Sequence, residues 1–252
     1  MTSKIALITG GSRGLGKNMA LRLADGGRDV ILTYNSKRDE ALEVVSQIES
    51  RGQKAVALQL NTADSASFDT FITDVSKTLG EKFGRENFDF LVNNAGVDAR
   101  ASIAETSEEI FDRLNNIHFK GVFFLTQKAL PLIADNGRII NLSTGLARFV
   151  SPGYAAYASM KGAVETFTRY LAKEVGPRGI TANVVAPGII QTDFTKSVFE
   201  HAPEVIQFIE SQTALGRTGV PDDIGGIVAF LCTEEAHWIT AQRIEASGGM
   251  FL

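Results

Sequence analysis

The chain has 252 residues, 44% apolar and 21% charged, with 24 glycines against 6 prolines, enough to bury a core in one α/β domain spanning 1–252. A formal net charge of −4 offers no basic surface for nucleic acid or an anionic membrane. The single cysteine, Cys232, excludes an intrachain disulfide, and His118, His201 and His237 lack metal-ligand spacing.

The cytoplasm is the expected compartment. Met1 leads into a strand within a few residues, which leaves no room for a signal peptide. No apolar stretch approaches the ~18 residues that a membrane span needs.

In chain order, Ile5-Ala6-Leu7-Ile8-Thr9 is a continuously apolar run, the pattern of a strand buried on both faces. It breaks into Gly10-Gly11-Ser12-Arg13-Gly14-Leu15-Gly16, and a helical pattern with Met19, Ala20 and Leu23 follows. Strand, glycine turn and helix N-terminus together make an anion site, because glycines admit a phosphate close to the backbone and the helix end presents free N–H groups. Val30–Tyr34 is the second strand, followed by Asn35, Ser36, Lys37 and Arg38 and a helix over 39–50 that turns Leu42, Val45 and Ile48 inward. A third strand, Ala55–Leu60, runs into Asn61-Thr62 and a helix with Phe68, Phe71 and Val75. The fourth, Phe88–Val92, ends in Asn93-Asn94-Ala95-Gly96.

A helix near 107–114 then leads to a longer one over 118–134. Strand five, Gly137–Leu142, opens into Ser143-Thr144-Gly145, and a long helix over 154–175 follows. Strand six, Ile180–Val185, ends in Ala186-Pro187-Gly188, and residues 191–216 carry an irregular apolar pattern suited to a lid. Pro221 opens the last long helix, and Arg243–Ala246 reads as an edge strand. Strands alternating with helices predict a parallel, doubly wound, Rossmann-like sheet with ligands at its carboxyl ends.

Tyr157 and Lys161 stand four apart, so they project from one helix face. A cation beside a phenol favours phenolate and moves its pKa from about 10 towards the range of a general acid–base catalyst.

These segments together resemble the short-chain dehydrogenase/reductase family over nearly the whole chain. The resemblance is carried by Thr9-Gly10-x-x-x-Gly14-x-Gly16, Asn93-Asn94-Ala95-Gly96, Tyr157-x-x-x-Lys161 and Pro187-Gly188-Ile189-Ile190-Gln191-Thr192. Leu215-Gly216-Arg217-x-Gly219-x-Pro221 and Ser247-Gly248-Gly249 agree with it. It implies a seven-stranded parallel sheet, a nicotinamide cofactor along the carboxyl edge, and hydride transfer to or from a carbonyl or alcohol carbon.

By the same resemblance Tyr157 exchanges the proton, and Lys161 lowers its pKa and bonds the nicotinamide ribose. A hydroxyl thirteen positions before the tyrosine holds the substrate oxygen; that position is Thr144, with Ser143 as its neighbour and alternative. The family commonly has an asparagine 22 positions past Gly96, at a helix kink with a relay water. Here it is His118, which either replaces the relay or is a packed core histidine. The implied cofactor contacts are Gly10, Ser12, Arg13, Gly14, Leu15, Gly16, Tyr34, Asn35, Ser36, Asn61, Thr62, Asn93, Ala95, Gly96, Tyr157, Lys161, Pro187, Gly188, Ile190 and Thr192.

NAD-preferring folds of this kind carry a carboxylate about 20 residues past the glycine turn, at the end of strand two. This chain has Tyr34 there, with Arg13 in the glycine turn. NADP(H) is therefore expected over NAD(H), although Asp39 or Glu40 folding back would favour NAD(H). The expected activity is reduction of a ketone or aldehyde, with a 3-oxoacyl-thioester reductase or a non-catalytic nucleotide-binding module as alternatives. A homotetramer is expected, through apolar surface on the helices at 118–134 and 154–175.

Overall fold

The computed structural model describes residues 3–252. Seven parallel strands form one sheet in the order β3-β2-β1-β4-β5-β6-β7. They are β1 (Ile5–Ile8), β2 (Asp29–Tyr34), β3 (Ala55–Gln59), β4 (Phe88–Asn93), β5 (Ile133–Leu142), β6 (Thr181–Pro187) and β7 (Arg243–Ala246). The helices are α1 (Gly14–Asp25), α2 (Arg38–Glu49), α3 (Phe68–Thr78), α4 (Glu108–Asn115), α5 (Gly121–Ala129), α6 (Ala155–Val175), α7 (Lys196–His201), α8 (Pro203–Ser211) and α9 (Pro221–Leu231).

Strand alternation divides the core into two layers. Ala6 and Ile8 of β1 join Val30, Leu32, Phe90 and Val92 under α1, α2 and α9. Ile5 and Leu7 face the other way, with Ile31, Leu91 and Ile139 under α3, α5 and α6. Both faces of the sheet are thus covered, which is why the strands read as continuous apolar runs. The chain winds one way from β1 to β2 and β3 and the other way from β4 onward, so a crevice opens at the carboxyl ends of β1 and β4. The glycine turn and Asn93–Gly96 both fall there.

Three local expectations change. In α2 the buried face is Ala41, Val44 and Ile48, while Leu42 is 43% exposed; small Ala41 lets the helix approach the sheet, and Val45 packs at the margin. The helix expected over 118–134 is broken. A π turn at Asn116–Lys120 precedes α5, and Pro131 falls in a short 3₁₀ turn before β5, a residue that cannot continue the helical ladder. Strand β5 starts four residues earlier than expected, with irregular pairing to β4. The 191–216 segment, with its irregular apolar pattern, contains α7 and α8.

The apolar residues of α5 and α6 divide in two. Leu125 and Leu171 are buried, and the Phe123 and Phe167 rings lie 4.8 Å apart, whereas Phe124 and Tyr170 are exposed. Among the described residues no helix is long and apolar enough to cross a membrane.

Candidate active site

The glycine turn is shaped by backbone close approach. Gly10 and Gly14 have positive φ (67° and 54°), a region that penalises a Cβ. A Cβ on Gly16 would lie 2.1 Å from the Gly10 carbonyl oxygen, so only glycine fits. The turn is pinned from both sides. Thr33 accepts Gly11 N–H at its carbonyl (2.8 Å) and Gly10 N–H at its hydroxyl (3.1 Å). The Asn94 amide donates to the carbonyls of Thr9 (2.9 Å) and Gly10 (3.1 Å), and Thr9 Oγ1 accepts the N–H groups of Asn94 and Ala95. Asn94 was not among the expected site residues, although it lies within their Asn-Asn-Ala-Gly signal.

The start of α1 has no side-chain cap and no acidic residue in its first turn. Its N–H groups and dipole are thus left to an anion outside the helix. Beyond β2, Tyr34 is half-buried and Asn35 and Ser36 are exposed; Glu40 is held by Lys37 at 3.4 Å. Arg13 is exposed and reaches Asp193 only at 3.9 Å, which leaves its guanidinium available. An anion-ready helix end, a turn that excludes Cβ atoms, and an Arg13 rim without a strand-end carboxylate fit a nicotinamide dinucleotide carrying a 2′-phosphate.

Other expected contacts line the same edge. Asn61 accepts the Ala63 N–H at 3.1 Å. The Thr62 carbonyl would lie 2.2 Å from a Cβ on Gly121, so α5 packs directly beneath it. Pro187 ends β6, Gly188 N–H donates to the Ala246 carbonyl (3.1 Å), and Thr192 N–H donates to Thr195 Oγ1 (3.2 Å). Ile190 is buried and bridges to Gly219, which fixes where the lid leaves the sheet. The Asn93 side chain instead points into the interior, donating to Thr126 Oγ1 (2.9 Å) and Asn141 Oδ1 (2.8 Å). Any cofactor contact at that position falls to its backbone.

The reacting groups converge at the ends of β4 and β5. Tyr157 lies on the first turn of α6, buried, and the Thr144 side chain, which accepts the Leu146 N–H at 3.3 Å, acts to lower its pKa. Ser143 is turned elsewhere, its hydroxyl donating to Glu165 Oε1 at 2.6 Å. Lys161 is buried, its ammonium donates to the Leu142 carbonyl at 2.7 Å, and it lies 5.8 Å from the Tyr157 ring centroid. Burial depresses its pKa to about 8.

The expected lowering of the Tyr157 pKa by Lys161 is corrected. Burial, reinforced by the Asp98 carboxylate and opposed by the Thr144 side chain, holds the phenol well above its ordinary value. Desolvation is the largest cause, and it favours the protonated tyrosine.

His118 sits in the π turn, buried against Tyr157 with ring centroids 5.0 Å apart at 90°. Its Nε2 lies 2.8 Å from the Val97 carbonyl and 3.3 Å from the Val97 N–H. One tautomer satisfies only one of these contacts, and the shorter favours Nε2–H as donor. Burial first, then the Lys161 charge, lowers its pKa to about 3. Gly96 makes the contact possible, since a Cβ there would meet the imidazole at 2.8 Å.

Aromatic side chains from three segments meet near the chain's last residues. Phe251 packs on Phe149 (5.0 Å between centroids) and faces Phe208 of α8 (6.2 Å), and Arg148 donates to the Met250 carbonyl at 2.8 Å. Ile103 and Val150, in the loops after β4 and β5, are 82% and 91% exposed.

A family model described as enoyl-(acyl carrier protein) reductase matches residues 10–251. The chain belongs to the short-chain dehydrogenase/reductase family. Similar proteins include a 3-oxoacyl-[acyl-carrier-protein] reductase of Staphylococcus aureus, 37% identical over 252 residues and covering 99% of each chain. A promiscuous reductase catalysing keto-reduction at C1 in lugdunomycin biosynthesis superposes with a TM-score of 0.93 at 38% identity, over 100% of this chain and 99% of that one. An angucycline C-6 ketoreductase with bound NADP gives a TM-score of 0.93 at 37% identity, over 99% of this chain and 96% of the other.

Proposed function

We propose that the protein is an NADP(H)-dependent oxidoreductase that reversibly reduces a ketone or aldehyde to an alcohol. The observation that carries this reading is the convergence at the carboxyl edge of the sheet of buried Tyr157, the Thr144 side chain that lowers its pKa, and Lys161 one helical turn beyond, anchored on the Leu142 carbonyl at 2.7 Å. The Gly10–Gly16 turn would hold the cofactor's pyrophosphate, Arg13, Tyr34, Asn35 and Ser36 its 2′-phosphate, and Asn61 and Thr62 its adenine. Ala95, Gly96, Lys161, Pro187, Gly188, Ile190 and Thr192 would hold its nicotinamide half. When bound, the nicotinamide supplies the hydride that reaches the carbonyl carbon.

The rest of the work belongs to side chains of this chain. Thr144 donates to the substrate oxygen and orients the carbonyl between itself and Tyr157. Tyr157 carries the proton, kept there by burial, and transfers it to that oxygen as negative charge develops. Lys161, fixed by the Leu142 carbonyl, stabilises the phenolate left behind. His118 packs against the phenol as a neutral ring. A pKa near 3 makes it a poor carrier of protons by ionisation at neutral pH.

The phenylalanines of the 191–216 segment, with Phe208 against Phe251 and through it Phe149, support an apolar or aromatic ketone. The staphylococcal relative keeps a 3-oxoacyl thioester as the second reading. NADPH oxidation followed at 340 nm against aromatic ketones and 3-oxoacyl thioesters separates the two. Tyr157→Phe should lower kcat by at least about 10²-fold while cofactor binding survives. Near-normal turnover in that variant rejects the mechanism.

A homotetramer in the cytoplasm completes the proposal, supported by exposed Phe124 and Tyr170 on α5 and α6 and by the lone, buried Cys232. Light scattering should give about four times the chain mass of 27.2 kDa; a species at the chain mass contradicts it.

A further inference from the structure

Ser143 and Thr144 are adjacent hydroxyls after β5, and a charged cluster behind the site separates their roles. Glu165 Oε1 accepts the Ser143 hydroxyl (2.6 Å) and the Arg243 Nε–H (2.7 Å). The same Arg243 guanidinium donates to the Thr144 carbonyl at 3.1 Å and to Glu245. Arg148 lies 3.4 Å from Glu245 and also holds the Met250 carbonyl.

We propose that Arg243 and Glu165 are positioning residues that fix Ser143 away from the reacting centre and present the Thr144 hydroxyl to Tyr157. This rests on the reading of Thr144 and Tyr157 given above. Four charges, two of each sign, balance within the cluster, and the Glu165 and Arg243 side chains are only 13% and 23% exposed. Such a pair contributes little net stability over an apolar replacement, so its geometric value is the stronger reason for its presence. The acceptors of Arg243 lie on three segments: α6, the loop after β5, and β7 itself. A planar fork of five donors can serve all three, whereas a lysine ammonium on a flexible stem cannot do so at fixed angles. The two hydroxyls are therefore sorted from behind, by bonds to one hydroxyl and to the backbone of the other.

A mere staple of the β7 edge makes a different prediction, and a double-mutant cycle on the full-length enzyme distinguishes the two. Arg243→Gln should lower kcat by about 10-fold with KM for NADPH changed less than about twofold. In a Thr144→Ala background the same substitution should cost less than about twofold, because the hydroxyl it positions is gone. Equal losses in both backgrounds, or unchanged kcat, overturn the proposal while leaving the proposed function intact. If Arg243→Gln does not fold, Glu165→Met, which keeps similar volume but removes the acceptor for Ser143 and Arg243, takes its place in the cycle with the same criteria. A wild-type enzyme that reduces no carbonyl compound overturns the proposed function, and the positioning role with it.

Discussion

His118 stands edge-on to Tyr157, ring centroids 5.0 Å apart at 90°, so a titratable ring is built into the wall of the group proposed to exchange the proton. Its Nδ1 is buried with no partner, an arrangement that only the neutral imidazole tolerates.

This makes His118 an acid-sensitive point in the fold. Its ordinary pKa of 6.5 falls to about 3 in the folded protein, so between these values the unfolded chain binds a proton that the folded chain refuses. The stability associated with its neutral burial is complete above pH 6.5 and is lost as pH falls towards 3, by about 5 kcal/mol at the limit. Urea unfolding of wild type and His118→Asn at pH 7, 5 and 4 should show the wild type losing more stability. Parallel curves would refute this.

Lys161 behaves in the opposite pH range. Burial lowers its pKa from 10.5 to about 8, so below pH 8 the fold carries a buried ammonium and bears the full cost. Between pH 8 and 10.5 the folded state releases its proton before the unfolded state does, and stability rises with pH through that window by about 3 kcal/mol. Lys161→Met should abolish this rise and turnover together. The measurement is the difference in unfolding free energy between variant and wild type at pH 7.5 and 9.5; a constant difference refutes the assignment.

The Asp98 carboxylate raises the Tyr157 pKa, second only to burial. Removing its charge in Asp98→Asn should bring the rise of alcohol oxidation with pH to lower pH, while reduction near pH 7 changes by less than about threefold. Overlapping pH profiles in the oxidative direction would show that the carboxylate at this exposed rim is screened.

Cofactor choice turns on Tyr34 and Arg13. Charge-assisted bonds to a phosphate contribute ~1.5–3 kcal/mol, so Arg13→Ala should lower kcat/KM for NADPH by about 10- to 100-fold and leave NADH nearly unchanged. Tyr34→Asp adds a carboxylate at the end of β2 and should shift preference towards NADH. Ratios of kcat/KM for the two cofactors in the three proteins decide the matter.

Much of the architecture was legible because both faces of the sheet are covered, so β1, β2 and β4 are continuous apolar runs. The glycine turn was legible because the close approach of Gly16 to Gly10 tolerates no Cβ. The Tyr157–Lys161 pairing needed only helical spacing. Other features depended on partners distant in sequence. Which of Ser143 and Thr144 faces Tyr157 is set by contacts with Glu165 and Arg243. The π turn that brings His118 under Gly96 has no composition of its own. In α2, alternatives one residue apart had similar apolar patterns, and the small Ala41 rather than the larger Leu42 meets the sheet. The direction of the Tyr157 pKa depended on burial, which spacing alone does not reveal.

Three segments far apart in the sequence are clasped by one aromatic group. Phe251 lies between Phe149 and Phe208, and Met250 is tied to Arg148, whereas Ser3 and Lys4 precede β1 at the opposite edge of the sheet. A change at any one of these rings is therefore passed to the segments that carry the other two, so Phe251→Ala should loosen the Phe149 loop and α8 together.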